Sequence, residues 1–298
     1  MKGMSWWALT TGSILLGTLA VPSAWAQQTR PISSQTQPAA PSAPAPPAAF
    51  DPSKSDDKAI AIADQATAAM GGDAWAKARF IKFTFDVRKG DKHLGIRTHY
   101  WDKMNQRSRM EGSTKEGKPI IVVVDLKSMT GQATVDGQPQ ADADLKKYTQ
   151  LAQGNLINDT YWLFTQFKLK DPGVRLRYEG ELKAGPITYD KIQLSFDDGT
   201  GLTSKDKYWL YVDRANHNIE RWSYVLQGSP ANASPTAWDW TDWTDVAGMK
   251  LATRKTQPGG EVEIVLENVQ VFDSLPDTVF TSTAPVDQTA ASQPAAGQ

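Results

Sequence analysis

The sequence predicts a mainly β (α+β) domain, a curling antiparallel sheet with helices on its concave side. Three observations carry that prediction. Residues 174–179, 189–196, 207–213 and 219–225 alternate between apolar and polar positions, the period of half-buried strands. Short turns rich in Gly, Asn and Asp separate the strands, so neighbours run antiparallel. The run Tyr161-Trp162-Leu163-Phe164-Thr165-Gln166-Phe167-Lys168-Leu169 is apolar nearly all round, as a helix buried against a sheet would be. The pattern yields about twelve strands, which in one domain must curl into a barrel, a half-barrel or a sandwich to limit exposed edges.

The first element is a secretory signal over residues 1–26. Lys2 supplies a basic start, residues 6–20 are almost uninterrupted apolar, small or hydroxyl residues, and Pro22 breaks the run. Ala24-Trp25-Ala26, followed by Gln27, is an A-x-A cleavage site. The apolar run is short of the roughly 20 residues that a spanning helix needs, so a cleaved signal and a soluble periplasmic protein are expected. Residues 27–52 are rich in Pro, Ala and Gln and read as a disordered spacer. Residues 283–298 have the same composition and read as a disordered tail, which leaves 53–282 as the folded domain.

Composition excludes several classes of function. The chain has no cysteine, hence no disulfide, no Cys-ligated metal and no lipid on a cleavage-site Cys. A net charge of −1 gives no broad electrostatic footprint for nucleic acid or acidic membranes. Of eleven Trp, Trp6, Trp7 and Trp25 fall in the signal; the others must be buried, line a site or face a partner.

Within the domain, Ser53 or Ser55 caps a helix whose stripe of Ile60, Ala63, Ala66 and Met70 faces the core, and Gly71-Gly72 stops it. Asp73 caps a shorter turn carrying Trp75. Strands follow at 80–88, 94–102, 107–111, 119–125 and 129–135. The run 120–124 is apolar on both faces, as where a second layer covers the sheet. Residues 142–169 form the second helical region, with Gly154-Asn155 expected to divide it in two. After the four alternating strands come 237–246, 249–256 and 261–272, the last two joined by a Pro258-Gly259-Gly260 turn.

Tests for chemistry return little. His93 and His99, on one strand, stand about 20 Å apart, too far to share a metal. His217 lies in a turn composition, and Asp197-Asp198-Gly199-Thr200-Gly201 lacks the alternating ligands of a calcium loop. Asp239, Asp242 and Asp245 interleave with Trp238, Trp240 and Trp243; as a glycosidase pair they lack a cleft, although the indoles could stack sugars. No enzymatic step, metal or cofactor is expected. What remains is aromatic payload, as plain core or as the lining of a ligand cavity. Tyr161, Trp162, Phe164, Phe167, Trp209 and Trp222 are the candidate cavity and lid residues.

Several stretches carry a family resemblance. They are the helix ending Met70-Gly71-Gly72, the run from Tyr161 through Lys168-Leu169-Lys170-Asp171-Pro172-Gly173-Val174, and Lys205-Asp206-Lys207-Tyr208-Trp209-Leu210-Tyr211-Val212-Asp213. Glu220-Arg221-Trp222 and Leu275-Pro276-Asp277-Thr278-Val279-Phe280 complete the set. Together they resemble the LolA/LolB-like periplasmic lipoprotein carriers and their outer-membrane lipoprotein-sorting relatives, over residues 57–281. The resemblance implies an unclosed, strongly curved half-barrel whose cavity takes lipid or lipoprotein acyl chains, with envelope transport partners. It also implies an early-strand Arg that holds the lid, with Arg97 and Arg107 as the positions available. The receptor-type member is itself a lipoprotein, so a chain without Cys fits a soluble, monomeric carrier. The alternative is a Trp-rich carbohydrate-binding or envelope interaction module without a lipid cavity.

Overall fold

The computed structural model describes residues 49–286. The expected signal segment, the spacer up to residue 48 and the tail from residue 287 lie outside the described residues. Phe50 packs against the main core, and a 3-10 turn at Pro52–Lys54 leads into α1 (Asp57–Ala69) and α2 (Gly72–Lys77). In α1, Ala59, Ile62, Ala63 and Ala66 recur at helical spacing and are buried, which commits one face to the sheet. Gly71 ends the helix at φ +92°, where a Cβ would sit 2.0 Å from the Gly248 carbonyl oxygen. Only glycine fits there.

The strands are β1 (Phe80–Lys89), β2 (Lys92–Asp102), β3 (Arg107–Ser113), β4 (Pro119–Asp125), β5 (Gly131–Val135) and the two-residue β6 (Gln138–Pro139). After α3 (Asp142–Phe164) and a 3-10 turn at Thr165–Phe167 come β7 (Val174–Ala184), β8 (Ile187–Phe196), β9 (Lys207–Asp213) and β10 (Ile219–Val225). The last elements are β11 (Thr236–Val246), β12 (Met249–Thr256), β13 (Val262–Phe272) and the short α4 (Thr278–Thr281). All thirteen strands join one sheet in the order β6-β5-β4-β3-β2-β1-β13-β12-β11-β10-β9-β8-β7. Two antiparallel meanders are therefore zipped together by β1 and β13, with α3 as the crossover between them. Edge strands β6 and β7 stand at opposite ends, so the sheet is not closed. Part of the β7 edge is sealed by residues before α1. The Leu176 N–H donates to Ser55 Oγ at 2.9 Å and the Tyr178 N–H to Asp56 Oδ2 at 2.8 Å.

Two expectations need correction. Gly154-Asn155 does not divide the second helical region: α3 is one helix of 23 residues. A helical glycine costs only about 1 kcal/mol, and burial of Ala152, Leu156, Trp162, Leu163 and Phe164 on the same helix outweighs it. The sheet also gains β6, too short to show as alternation.

The two apolar faces of residues 120–124 are explained. Ile120, Val122 and Val124 pack with Ala152, Leu145 and Tyr148 of α3. On the other side α4 lies along β3 and β4. The fully buried Arg109 guanidinium ties the following segment down, donating to the Ser282 and Ala284 carbonyls at 2.7 and 2.8 Å. The main core lies between α1, α3 and the inner face of the sheet, through Phe83, Phe85, Leu210, Trp222, Trp240 and Ile264.

Candidate functional site beneath helix α3

The candidate site is the interface between α3 and the inner face. At its centre is a polar clamp in an otherwise apolar contact. Asp159 of α3 is completely buried, and Arg97 of β2 grips it with two bonds, Nε to Oδ2 at 2.6 Å and Nη2 to Oδ1 at 2.5 Å. His99, two residues along β2 and so on the same face, brings Nε2 to within 2.7 Å of Oδ2. Asn158 Nδ2 adds a bond to Oδ1 at 2.9 Å. Burial pushes the Asp159 carboxyl up, but the Arg97 charge and the His99 hydrogen bond outweigh it and hold the group below the usual carboxylate range. Arg97 also lies over the Phe85 ring at 4.6 Å, and His99 stacks on Phe83 at 5.0 Å. Of the two arginines the resemblance offered, Arg97 is the one that pairs with α3. Arg107 instead pairs with Asp102 at 2.8 Å and with Asp277.

C-terminal to the clamp, the rings of α3 and of the 3-10 turn after it divide between two aromatic groups. Trp162 meets Trp222 at 4.5 Å and Trp238 at 5.1 Å, both edge-on, and Trp222 continues to Tyr208 at 5.2 Å and Trp240 at 5.8 Å. Tyr161 packs at 6.2 Å from Phe196 and 6.4 Å from Tyr208, and burial raises both tyrosine hydroxyls above their ordinary value. Phe164 and Phe167 turn the other way, onto Trp75 of α2 at 4.9 and 5.1 Å, and Phe164 also meets Phe83 edge-on. Such contacts add about 0.5–1.5 kcal/mol each beyond area burial. The rings fill the space under the C-terminal half of α3 with one another.

Five of the six sequence-predicted residues therefore lie together: Tyr161, Trp162, Phe164, Phe167 and Trp222. Trp209 does not. Strand alternation sends Tyr208 and Leu210 inward and Trp209 to the opposite face, where Lys191 Nζ lies 5.6 Å from its ring. An open groove of about 1720 Å³ exists elsewhere, bordered by Thr67, Gly72, Lys77 and Lys170 and by Val271 of β13. None of the six candidates lines it.

On β11, Trp243 packs half-buried against the main core. Trp238 and Trp240 are buried inward, while Asp242, at φ +54°, turns out to pair with Arg254 at 2.7 Å. Asp197 serves as a surface tie, accepting from Lys54 Nζ at 2.9 Å and from Arg175. His93 sits within 2.8 Å of the buried Asp86, on the face of β1 opposite Phe85. Among the described residues no three His, Asp or Glu side chains gather as a metal cluster, and no helix is long and apolar enough to cross a membrane.

Two residues of the site escaped sequence reading, Asp159 and Lys255. Asp159 falls on the buried stripe of α3 between Leu156 and Leu163. Lys255 of β12 shares the inward phase of Met249 and Leu251 and is fully buried. A charge on an inward phase was the available signal for both.

No family model matches the chain, and no curated protein matches it. Solved structures do. A LolA superfamily protein from Nitrosomonas europaea is 11% identical, at a TM-score of 0.46 over 75% of this chain and 97% of that one. A DUF1329 family protein from Desulfovibrio piger is 13% identical, at 0.45 over 76% and 99%. The Mycobacterium tuberculosis lipoprotein LppX is 10% identical, at 0.30 over 78% and 100%. The likeness is one of fold alone. It extends to no residue role.

Proposed function

We propose that this chain is an exported envelope protein that binds a hydrophobic ligand, a lipid or the acyl chains of a lipoprotein, between α3 and the inner face of the sheet. One observation carries the reading: a long helix with an aromatic underside is held over an aromatic face by a single buried ionic clamp. Apolar surfaces alone need no such tie, because burial is non-directional. A directional clamp fixes one closed position, and its loss lets the helix lift and the rings part. The ligand would replace the Trp162 contacts with Trp222 and Trp238, so Tyr161, Trp162, Phe164, Phe167 and Trp222 are the binding residues. No chemical step and no cofactor belong to this function. A monomer in the periplasm, delivered by the segment at residues 1–26, is the form in which it would act, without nucleic acid.

The test is native mass spectrometry of protein purified from the periplasm, together with uptake of the fluorescent lipid cis-parinaric acid. Mass additions that release a lipid on extraction, and saturable uptake, are expected. A bare mass with no uptake would leave the rings as ordinary core and sink the reading.

A further inference from the structure

Lys255 is the one fully buried lysine among the described residues. Its Nζ donates to the Ala252 carbonyl at 2.9 Å and lies 3.4 Å from the centroid of the Trp240 ring. No carboxylate stands within salt-bridge distance of it among the described residues. One carbonyl and one ring face leave its hydrogen-bonding capacity under-used, as ammonium or as amine. Desolvation alone pushes the amine well below the ordinary lysine range, which favours its neutral form. A stabilising role does not account for it, since an apolar side chain of the same volume would avoid the desolvation cost.

The surroundings repeat the imbalance. The indole N–H groups of Trp240 and of neighbouring Trp222 are buried without an acceptor. Trp222 in turn touches Trp162, on the helix that the clamp holds down. The patch therefore offers unpaired donors beneath a tied helix, and no charged acceptor. Buried polar groups are nearly always satisfied, so unpaired indole donors beside an amine call for an acceptor-rich group that also carries an acidic proton.

Charge balance selects the kind of acceptor. A neutral carboxylic acid can enter the apolar interface and pass its proton to the Lys255 amine. The acid O–H bond breaks, its electron pair stays on the carboxylate, and a new N–H bond completes the ammonium. The result is an ion pair with no net charge added to the core. A dianionic phosphate monoester would leave one negative charge uncompensated, and an alcohol would not ionise. We propose that Lys255 anchors the headgroup of a long-chain monocarboxylic acid, with its chain lying between α3 and the β9–β11 face. The proposal rests on the hydrophobic-ligand reading above and names the ligand class for the same site.

The experiment titrates the full protein with oleic acid and with oleyl alcohol, equal chains with different heads, and follows Trp emission and native mass. Wild-type protein should bind the acid at least about tenfold more tightly than the alcohol. In Lys255→Met that preference should vanish while the alcohol still binds. Equal affinity for the two heads, or a preference that survives in K255M, overturns the headgroup role and leaves the hydrophobic-ligand reading standing. Binding of neither probe overturns both. Should K255M fold poorly, wild-type titrations of oleate against methyl oleate decide the matter, with equal affinities counting against the proposal.

Discussion

The clamp on α3 gives the sharpest prediction. Arg97→Met removes the guanidinium and leaves the Asp159 carboxylate completely buried, with His99 and Asn158 as its remaining partners. Stranding one member of a buried ion pair costs about 3–5 kcal/mol, and this carboxylate loses both bonds from its main partner. The Arg97 side chain keeps 19% exposure, so the reverse variant, Asp159→Leu, strands a cation that can still turn to water. That change should cost less, about 1–2 kcal/mol. The double variant, with an apolar pair in place of the ionic one, should return to within about 1 kcal/mol of wild type, because two compensated desolvation costs disappear together. Urea unfolding of the four proteins closes the cycle. Hydrogen exchange should show α3 losing protection in R97M before α1 does. A loss below about 1 kcal/mol for R97M, the level of an exposed pair, would refute the claim that this clamp holds the helix.

Three further outcomes are expected. The Asp159 carboxyl is held below its ordinary value, so its share of stability is fully present above the unfolded value of about 3.9 and is lost as pH falls through the lower folded value. Acid unfolding of wild type should therefore steepen below about pH 4, and the R97M/D159L double variant should be flatter there; parallel curves would contradict the assignment. Trp162→Ala should cost about 3–5 kcal/mol because its ring is enclosed by Trp222, Tyr224 and Trp238, while Trp209→Ala on the opposite face should cost about 1 kcal/mol. Thermal melts that rank these two the other way would show the inner face to be misassigned. Gly71→Ala should lose more than about 2 kcal/mol, since its Cβ would strike the Gly248 carbonyl, against about 1 kcal/mol for Gly90→Ala, which has positive φ but open space.

Most of the fold was legible because strand alternation and turn chemistry are local. The pairing of β1 with β13 was not, since it joins residues such as Ile81 and Val271 that no local pattern connects. The division of α3 at Gly154 failed for a related reason. A glycine weakens a helix by a fixed local amount, whereas the packing that overrides it comes from Met110, Ile120 and Val122 on other elements. Trp209 was misjudged by treating aromatic content as a property of a strand rather than of one of its faces. Its neighbours Tyr208 and Leu210 take the inward phase and leave it none.

The site was legible in its apolar half and illegible in its polar half, and the two halves follow different physics. Hydrophobic burial is additive over a face, so Trp162, Phe164 and Trp222 declare themselves by composition and period. A buried charge is meaningful only through its partner, and the partners here are remote: Arg97 and Asp159 are separated by 62 residues in sequence. Read alone, Asp159 is one polar residue on a helix and Lys255 one polar residue on a strand. Both stand on the inward phase, yet their physical meanings are opposite. Asp159 is answered by the Arg97 charge and the His99 hydrogen bond, and that closes the helix onto the sheet. Lys255 is answered only by the Ala252 carbonyl and a ring face, and no counter-charge stands beside it. One ionisable residue is paired across the interface, while the other lies under it with no carboxylate beside it and its amine driven toward the neutral form by burial. That asymmetry is one that no pattern of single residues contains.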